Sequence, residues 1–198
     1  MRRISAFVAL LAIASTAWAQ QPPTVRIRGT IEAVDGAMLS IKSRDGTDMK
    51  VRVTDNVAVF GVAKTELSEI KVGSYIGVTA MPESDGTQRA VAVHIFPETQ
   101  RGAAEGFRPW DQRPGSTMTN ATVADVARSP NGERLELKYK DGQKTIIVPP
   151  EAPIVSLRPG ERGMVQAGQR VAAIVQDVNG TPTVVRVNAG RNGFAPPY

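Results

Sequence analysis

The chain is 198 residues long, carries 24 Lys and Arg against 19 Asp and Glu, and has one histidine and no cysteine. Without cysteine there are no disulfides and no thiolate metal sites, so packing alone must hold the fold. The basic excess is small and interleaved with acids, as in Lys42-Ser43-Arg44-Asp45 and Lys138-Tyr139-Lys140-Asp141, the pattern of a mixed surface rather than a polyanion-binding stripe.

Residues 1–19 read as a cleaved Sec-type signal peptide, which makes the protein periplasmic or secreted. Met1-Arg2-Arg3 is a positive start, Ile4 to Ser15 is an apolar run, and Ala17-Trp18-Ala19 places small residues where a signal peptidase reads. The apolar run is well short of the roughly 20 residues of a spanning helix, and no later run approaches that length. Arg2-Arg3-Ile4-Ser5-Ala6 matches a twin-arginine signal poorly, and there is no cysteine to acylate. Removing residues 1–19 from 198 leaves 179, with 22 basic and 19 acidic side chains and a net charge of +3. That length suits one large or two small domains.

The strongest internal signal is a duplication. Thr30-Ile31-Glu32-Ala33-Val34 answers to Thr122-Val123-Ala124-Asp125-Val126, and Asp45-Gly46-Thr47 to Asp141-Gly142-Gln143. Lys71-Val72-Gly73 matches Gln166-Ala167-Gly168, Asp85-Gly86-Thr87 matches Asn179-Gly180-Thr181, and Val93-His94-Ile95 matches Val185-Arg186-Val187. The offsets are 92, 96, 95, 94 and 92, a drift that small loop insertions and deletions produce.

In chain order, the first copy spans 25–97. A strand through Thr30–Val34 turns at Asp35-Gly36. Leu39 and Ile41 alternate with Ser40 and Lys42, and after Asp45-Gly46 Val51 and Val53 alternate with Lys50 and Arg52. That is the period of half-buried strands, and Asp-Gly suits hairpin turns because both residues tolerate positive φ. Thr65-Glu66-Leu67-Ser68-Glu69-Ile70 predicts one helical turn capped by Thr65, and a hairpin through Asp85-Gly86 closes the copy. Residues 98–117 form a Pro/Gly-containing linker whose Phe107 and Trp110 are expected to pack across both copies. The second copy, 118–190, repeats the layout with turns at 131–132, 141–142 and 179–180. Its connection, Pro159-Gly160-Glu161-Arg162-Gly163, leaves little room for helix. Residues 191–198 are a loosely held tail. The expected fold is all-β: two tandem small antiparallel Greek-key (OB-like) barrels, with an open sandwich or roll of the same strand order as the alternative.

The runs Arg28-Gly29-Thr30-Ile31-Glu32-Ala33-Val34, Val78-Thr79-Ala80-Met81 and Gly106-Phe107-Arg108-Pro109-Trp110-Asp111 resemble a family of exported bacterial proteins whose domain has no assigned function. The resemblance extends over nearly the whole chain beyond the signal. Some members carry the automatic label metal ABC transporter permease; a permease needs several spanning helices, and nothing here reads as one. The resemblance implies export and a β-rich repeat and supplies no catalytic residues.

For chemistry, His94 is the only base of its kind that a serine or cysteine triad could use. In Val91-Ala92-Val93-His94-Ile95-Phe96 it alternates against Val91, Val93 and Ile95, which predicts an outer-surface position shared with Ala92 and Phe96. No Gly-x-Ser-x-Gly elbow, phosphate-cradling loop or His-Glu-x-x-His helix is present. Asp35, Asp45, Asp85 and Asp141 each precede glycine, so hairpin turns explain them better than calcium does. No catalytic residue, metal or cofactor is expected. The candidate ligand-binding residues are Phe107, Arg108, Trp110 and Arg113. There, an aromatic plane and guanidinium groups could grip an anionic glycan, a lipid headgroup or a partner protein in a cleft between the barrels. Trp110 as a plug between barrels is the structural alternative. Export and scarce aromatics argue against nucleic acid. The function expected is that of a non-enzymatic envelope binding or adaptor protein whose partner is an envelope protein or anionic glycan. A metal-handling accessory of a transport system, implied by the family label alone, is the alternative.

Overall fold

The computed structural model describes residues 23–129 and 132–197; the expected signal peptide, residues 1–19, and the Asn131 side of the predicted 131–132 turn lie outside the described residues. The chain is all-β. The first half forms β1 (Thr24–Asp35), β2 (Met38–Ser43), β3 (Asp48–Lys64), β4 (Tyr75–Pro82) and β5 (Gln88–Ile95). A short strand, β6 (Gly106–Pro109), precedes the second half: β7 (Thr117–Ser129), β8 (Gly132–Tyr139), β9 (Gly142–Val148), β10 (Ile154–Pro159), β11 (Arg170–Val178) and β12 (Thr181–Gly190). The alternation read from sequence holds in β2 and β3, where Leu39, Ile41, Val51 and Val53 are buried and Lys42 and Lys50 are exposed.

A five-stranded barrel closes through β1, β2, β3, β12 and β11. It encloses Ile27, Ile31, Leu39, Ile41 and Val51 from the first half of the sequence, with Val171, Val175, Val184 and Val187 from the second. Each such side chain taken out of water contributes about 1.5–3 kcal/mol. A second circuit of pairings runs β4–β5–β9–β8–β7 and back to β4, the β5–β9 link being two parallel pairs, Gln88↔Ile146 and Arg89↔Ile147. It encloses Ile76, Val78 and Val93 with Val123, Leu135, Leu137 and Ile146.

The pairing thus differs from the expectation that each copy closes on itself. The meander of the first copy is completed by the hairpin of the second, and the reverse. The cause lies in β3. It is 17 residues long, roughly 55 Å at strand rise, and it leaves the barrel while still paired, first with β12 and then with β10. The chain therefore delivers β4 and β5 to the far ring. In the second copy the matching stretch is Pro149-Pro150-Glu151-Ala152-Pro153, and proline cannot donate to a ladder, so β9 and β10 are separate strands.

The registers carry the duplication. β3 and β10 cross antiparallel with Val62 opposite Leu157, positions 95 apart. The pairs Thr30↔Arg170 and Thr122↔Tyr75, and the pairs Ala173↔Val187 and Val78↔Val93, keep offsets of 92 to 95. Val93 therefore corresponds to Val187 rather than Val185, and His94 to Asn188 rather than Arg186. Val62, Val155 and Leu157 are buried at this crossing beneath Phe60, Phe96, Ala172 and Phe194.

Three local expectations change. The predicted helical turn is a 3-10 turn, Leu67–Glu69, with no side-chain cap; the Thr65 amide instead donates to the Ile154 carbonyl. The second copy holds the equivalent turn, Arg162–Met164, despite its glycines. The tail is docked: Phe194 packs at the crossing, Pro196 is buried, and the Gln112 side-chain amide donates to the Pro197 carbonyl at 2.6 Å. A Cβ on Gly190 would overlap the Phe194 carbonyl, so glycine permits this fold-back. Among the described residues no helix is long and apolar enough to cross a membrane.

Candidate functional site

The two rings meet in a cleft of about 180 Å³. Arg26 and Arg28 enter it from β1, Ala172 and Ile174 from β11, and Arg186 and Asn188 from β12. On the other side stand Met118 and Asn120 of β7, with Arg108 of β6, and His94, Phe96 and Leu157 form part of the lining. Alternate residues of a strand share a face, which is why Arg26 and Arg28, or Met118 and Asn120, arrive together. By the 92-residue offset of β1 and β7, Arg26 corresponds to Met118 and Arg28 to Asn120. The two copies differ at these matched positions: β1 brings two arginines where β7 brings a methionine and an amide.

Trp110 organises the charges. The guanidinium carbons of Arg26 and Arg108 lie 4.1 and 5.4 Å from its ring centroid, each an attraction of about 0.5–2 kcal/mol depending on desolvation. The next residue, Asp111, accepts two hydrogen bonds from Arg28, at 2.6 and 3.2 Å, and lies 3.9 Å from Arg26. The Arg28 contact, and secondarily its charge, hold the Asp111 carboxyl below its ordinary range against the opposing effect of partial burial. Arg108 donates to the Ala104 carbonyl at 2.8 Å and, among the described residues, takes part in no ion pair. Desolvation, then the Arg26 charge, lower its pKa. Among the described residues no acidic side chain lines the cleft. The buried Trp110 indole N–H and the Asn120 Oδ1 have no hydrogen-bond partner among the described residues, an arrangement that costs about 1–3 kcal/mol for each such group.

Of the four residues expected from sequence, Arg108 and Trp110 meet in the cleft. Phe107 and Arg113 do not. Phe107 points to the other side of β6, where the Lys144 ammonium lies 4.4 Å from its ring, because neighbouring strand residues face opposite ways. Arg113 is exposed in a turn, its backbone bonded to the Ser116 hydroxyl. Arg26, Arg28, Arg186 and Asn120 are not legible in the sequence because they lie on three separate strands, β1, β12 and β7, and only the exchange of hairpins brings those strands together.

His94 corrects a further expectation. It does face away from the ring core, because its neighbours Val93 and Ile95 face inward; of the expected inward set Val91 drops out, since it is an extra residue between the pairs Thr79↔Ala92 and Ala80↔Ala90 and Ala90 takes the core position. That face is not solvent, however; it is the floor of the cleft, and His94 is only 5% exposed. Burial, with the Arg186 charge second, lowers its pKa to about 3, so the imidazole is neutral and no proton-transfer role at neutral pH follows.

A wider depression of about 480 Å³ adjoins the cleft through Arg28 and is lined by Lys42, Arg44, Arg170 and Glu32, with Ala195 and Pro196 of the tail. Its basic side chains continue the positive surface, although they are interleaved with acids in sequence. It is larger than the cleft but lacks its aromatic and apolar walls, which makes the cleft the better-built site. Among the described residues no group of three or more His, Cys, Asp or Glu is placed to hold a metal ion. Comparison of the chain with protein-family models, with curated proteins and with solved structures returns no match.

Proposed function

We propose that this chain is an exported, non-enzymatic binding protein of the cell envelope, built as two OB-like barrels that exchange their closing hairpins, with the cleft between them as its working surface. The carrying observation is the pair of guanidinium groups over Trp110, one of them, Arg108, outside any ion pair among the described residues. Half-buried positive charge beside an aromatic plane is the arrangement that recognises an anionic group with a flat or apolar neighbour. The adjoining basic depression extends the surface enough for a longer anion, such as an acidic envelope glycan or an acidic segment of an envelope protein. The resemblance to exported bacterial proteins and the reading of residues 1–19 support the location. Nucleic acid is not the expected partner, since an exported chain does not meet it.

The test is binding of an acidic oligosaccharide or acidic peptide to the purified protein at low and high salt. Trp110→Ala should abolish binding while thermal unfolding stays cooperative, and Arg113→Gln should leave binding unchanged. Loss of folding in Trp110→Ala would make Trp110 a structural plug, and equal binding by both variants would place the surface elsewhere.

A further inference from the structure

We infer that the cleft is a specific receptor for a carboxylate borne on an apolar group of about benzene size, with Arg108 as its counter-charge. This rests on the reading of the cleft as the working surface and narrows its ligand. Three observations carry it. The first is size: an engineered apolar cavity of roughly 150 Å³ holds benzene, and this cleft measures about 180 Å³. One small ring and its head group fill it, and anything longer must run on into the adjoining depression. The second is the walls. Phe96, Met118, Leu157, Ala172 and Ile174 offer hydrocarbon and aromatic contacts, which gain little from a hydroxylated sugar and much from an apolar group.

The third is the division of charge. Asp111 engages Arg28 and stands within 4 Å of Arg26, and Arg186 donates to Asn188 at 3.1 Å and to Gln100 at 3.1 Å. Arg108 spends one donor on a carbonyl and, among the described residues, pairs with no acid. A planar guanidinium of this kind matches one carboxylate in two-point fashion. The indole N–H of Trp110, buried and without an acceptor, adds a donor beside it. A positive charge without an acidic partner, next to an apolar wall, selects an amphiphilic anion, since a wholly polar anion loses the wall and a neutral apolar molecule loses the charge. Such a group is found both in free aryl carboxylates and at a polypeptide C-terminus ending in an aromatic residue.

The experiment uses the full-length chain with Trp18→Phe, so that Trp110 is the only indole, and follows its fluorescence. The probe is 3-phenylpropanoate, with 3-phenylpropanamide, acetate and an acidic hexasaccharide alongside. Saturable binding of 3-phenylpropanoate is expected, at least tenfold tighter than the amide or acetate. Arg108→Gln should weaken it at least tenfold and Arg108→Lys less. Ala172→Phe, which fills the cleft without removing a charge, should block it. A peptide ending in a free Phe carboxylate, compared with its amidated form, separates the two sources: tighter binding of the free-acid peptide than of 3-phenylpropanoate assigns a polypeptide C-terminus, and the reverse assigns a small acid. Equal binding of acetate, equal binding of the amide, or indifference to both Arg108→Gln and Ala172→Phe overturns the inference. If the hexasaccharide binds in a Trp110-dependent way and 3-phenylpropanoate does not, the inference fails while the cleft remains the working surface. If neither binds, both fail.

Discussion

His94→Gln should remove a specific part of the protein's acid sensitivity. In the native protein the imidazole is 5% exposed and its pKa is lowered from 6.5 to about 3, by burial first and by Arg186 second. Between those values the unfolded chain binds a proton that the folded chain refuses. The sign follows: the stability is fully present above about pH 6.5 and is lost as the pH falls toward 3. The loss is about 1.4 kcal/mol per pH unit inside the window, so moving from pH 7 to pH 4.5 destabilises the native chain by roughly 2.5 kcal/mol through this residue alone. At pH 4.5 the folded imidazole is still almost wholly neutral, which makes the figure depend on the unfolded titration. Urea unfolding at pH 7 and pH 4.5 measures it. The carboxylates titrate in both proteins, so the difference of the two differences isolates His94, and the native chain should lose about 2.5 kcal/mol more than His94→Gln. Equal losses would mean that the histidine is protonated in the folded state and that the cleft floor is wet.

Leu157→Ala should lower stability by about 2–5 kcal/mol, since Leu157 is 3% exposed and packs at the strand crossing shared by both rings; chemical denaturation reads this directly. Val187→Ala, in β12, should reduce amide protection at Leu39 and Ile41 more than at Leu135 and Leu137, because its side chain belongs to the core of the first meander; the opposite pattern in hydrogen exchange would refute the exchange of hairpins. Asp111→Asn removes a half-exposed ion pair, so stability at pH 7 should fall by only about 0.5–1 kcal/mol. Anion affinity should rise as Arg26 and Arg28 are released, and below the native carboxyl's titration the two proteins should converge, as isothermal titration would show. Gly190→Ala should detach the tail, seen as faster proteolysis after Arg191 with the barrel melting unchanged, because the new Cβ overlaps the Phe194 carbonyl.

The strand periods, the repeat and the hairpin positions were legible because they are local: side-chain alternation and Gly-containing turns are properties of neighbouring residues. Even so, the turns differ in kind. Asn179-Gly180 has positive φ at both residues, whereas Gly142 does not have positive φ and already belongs to β9. Trp110 and Arg108 were also legible, since an aromatic beside arginine in a proline-flanked segment stands out in any linker. Their partners were not. Nothing in Thr24-Val25-Arg26-Ile27-Arg28 announces that Arg26 faces an indole and Arg28 a carboxylate more than eighty residues away, and His94 reads as a surface residue because alternation gives its strand face but not the cover on that face.

By itself, then, the sequence determined an all-β chain with two related halves, the hydrophobic faces of its strands, and a stability that rests on packing without cysteine. The tertiary structure decided which half completes which ring, where the charges gather, and which residues share the cleft. The physical reason is that alternation sets which face of a strand is buried but not which strand lies beside it. Here that choice is made by an unbroken β3 in one copy against a proline-broken stretch in the other, and every residue of the cleft follows from it.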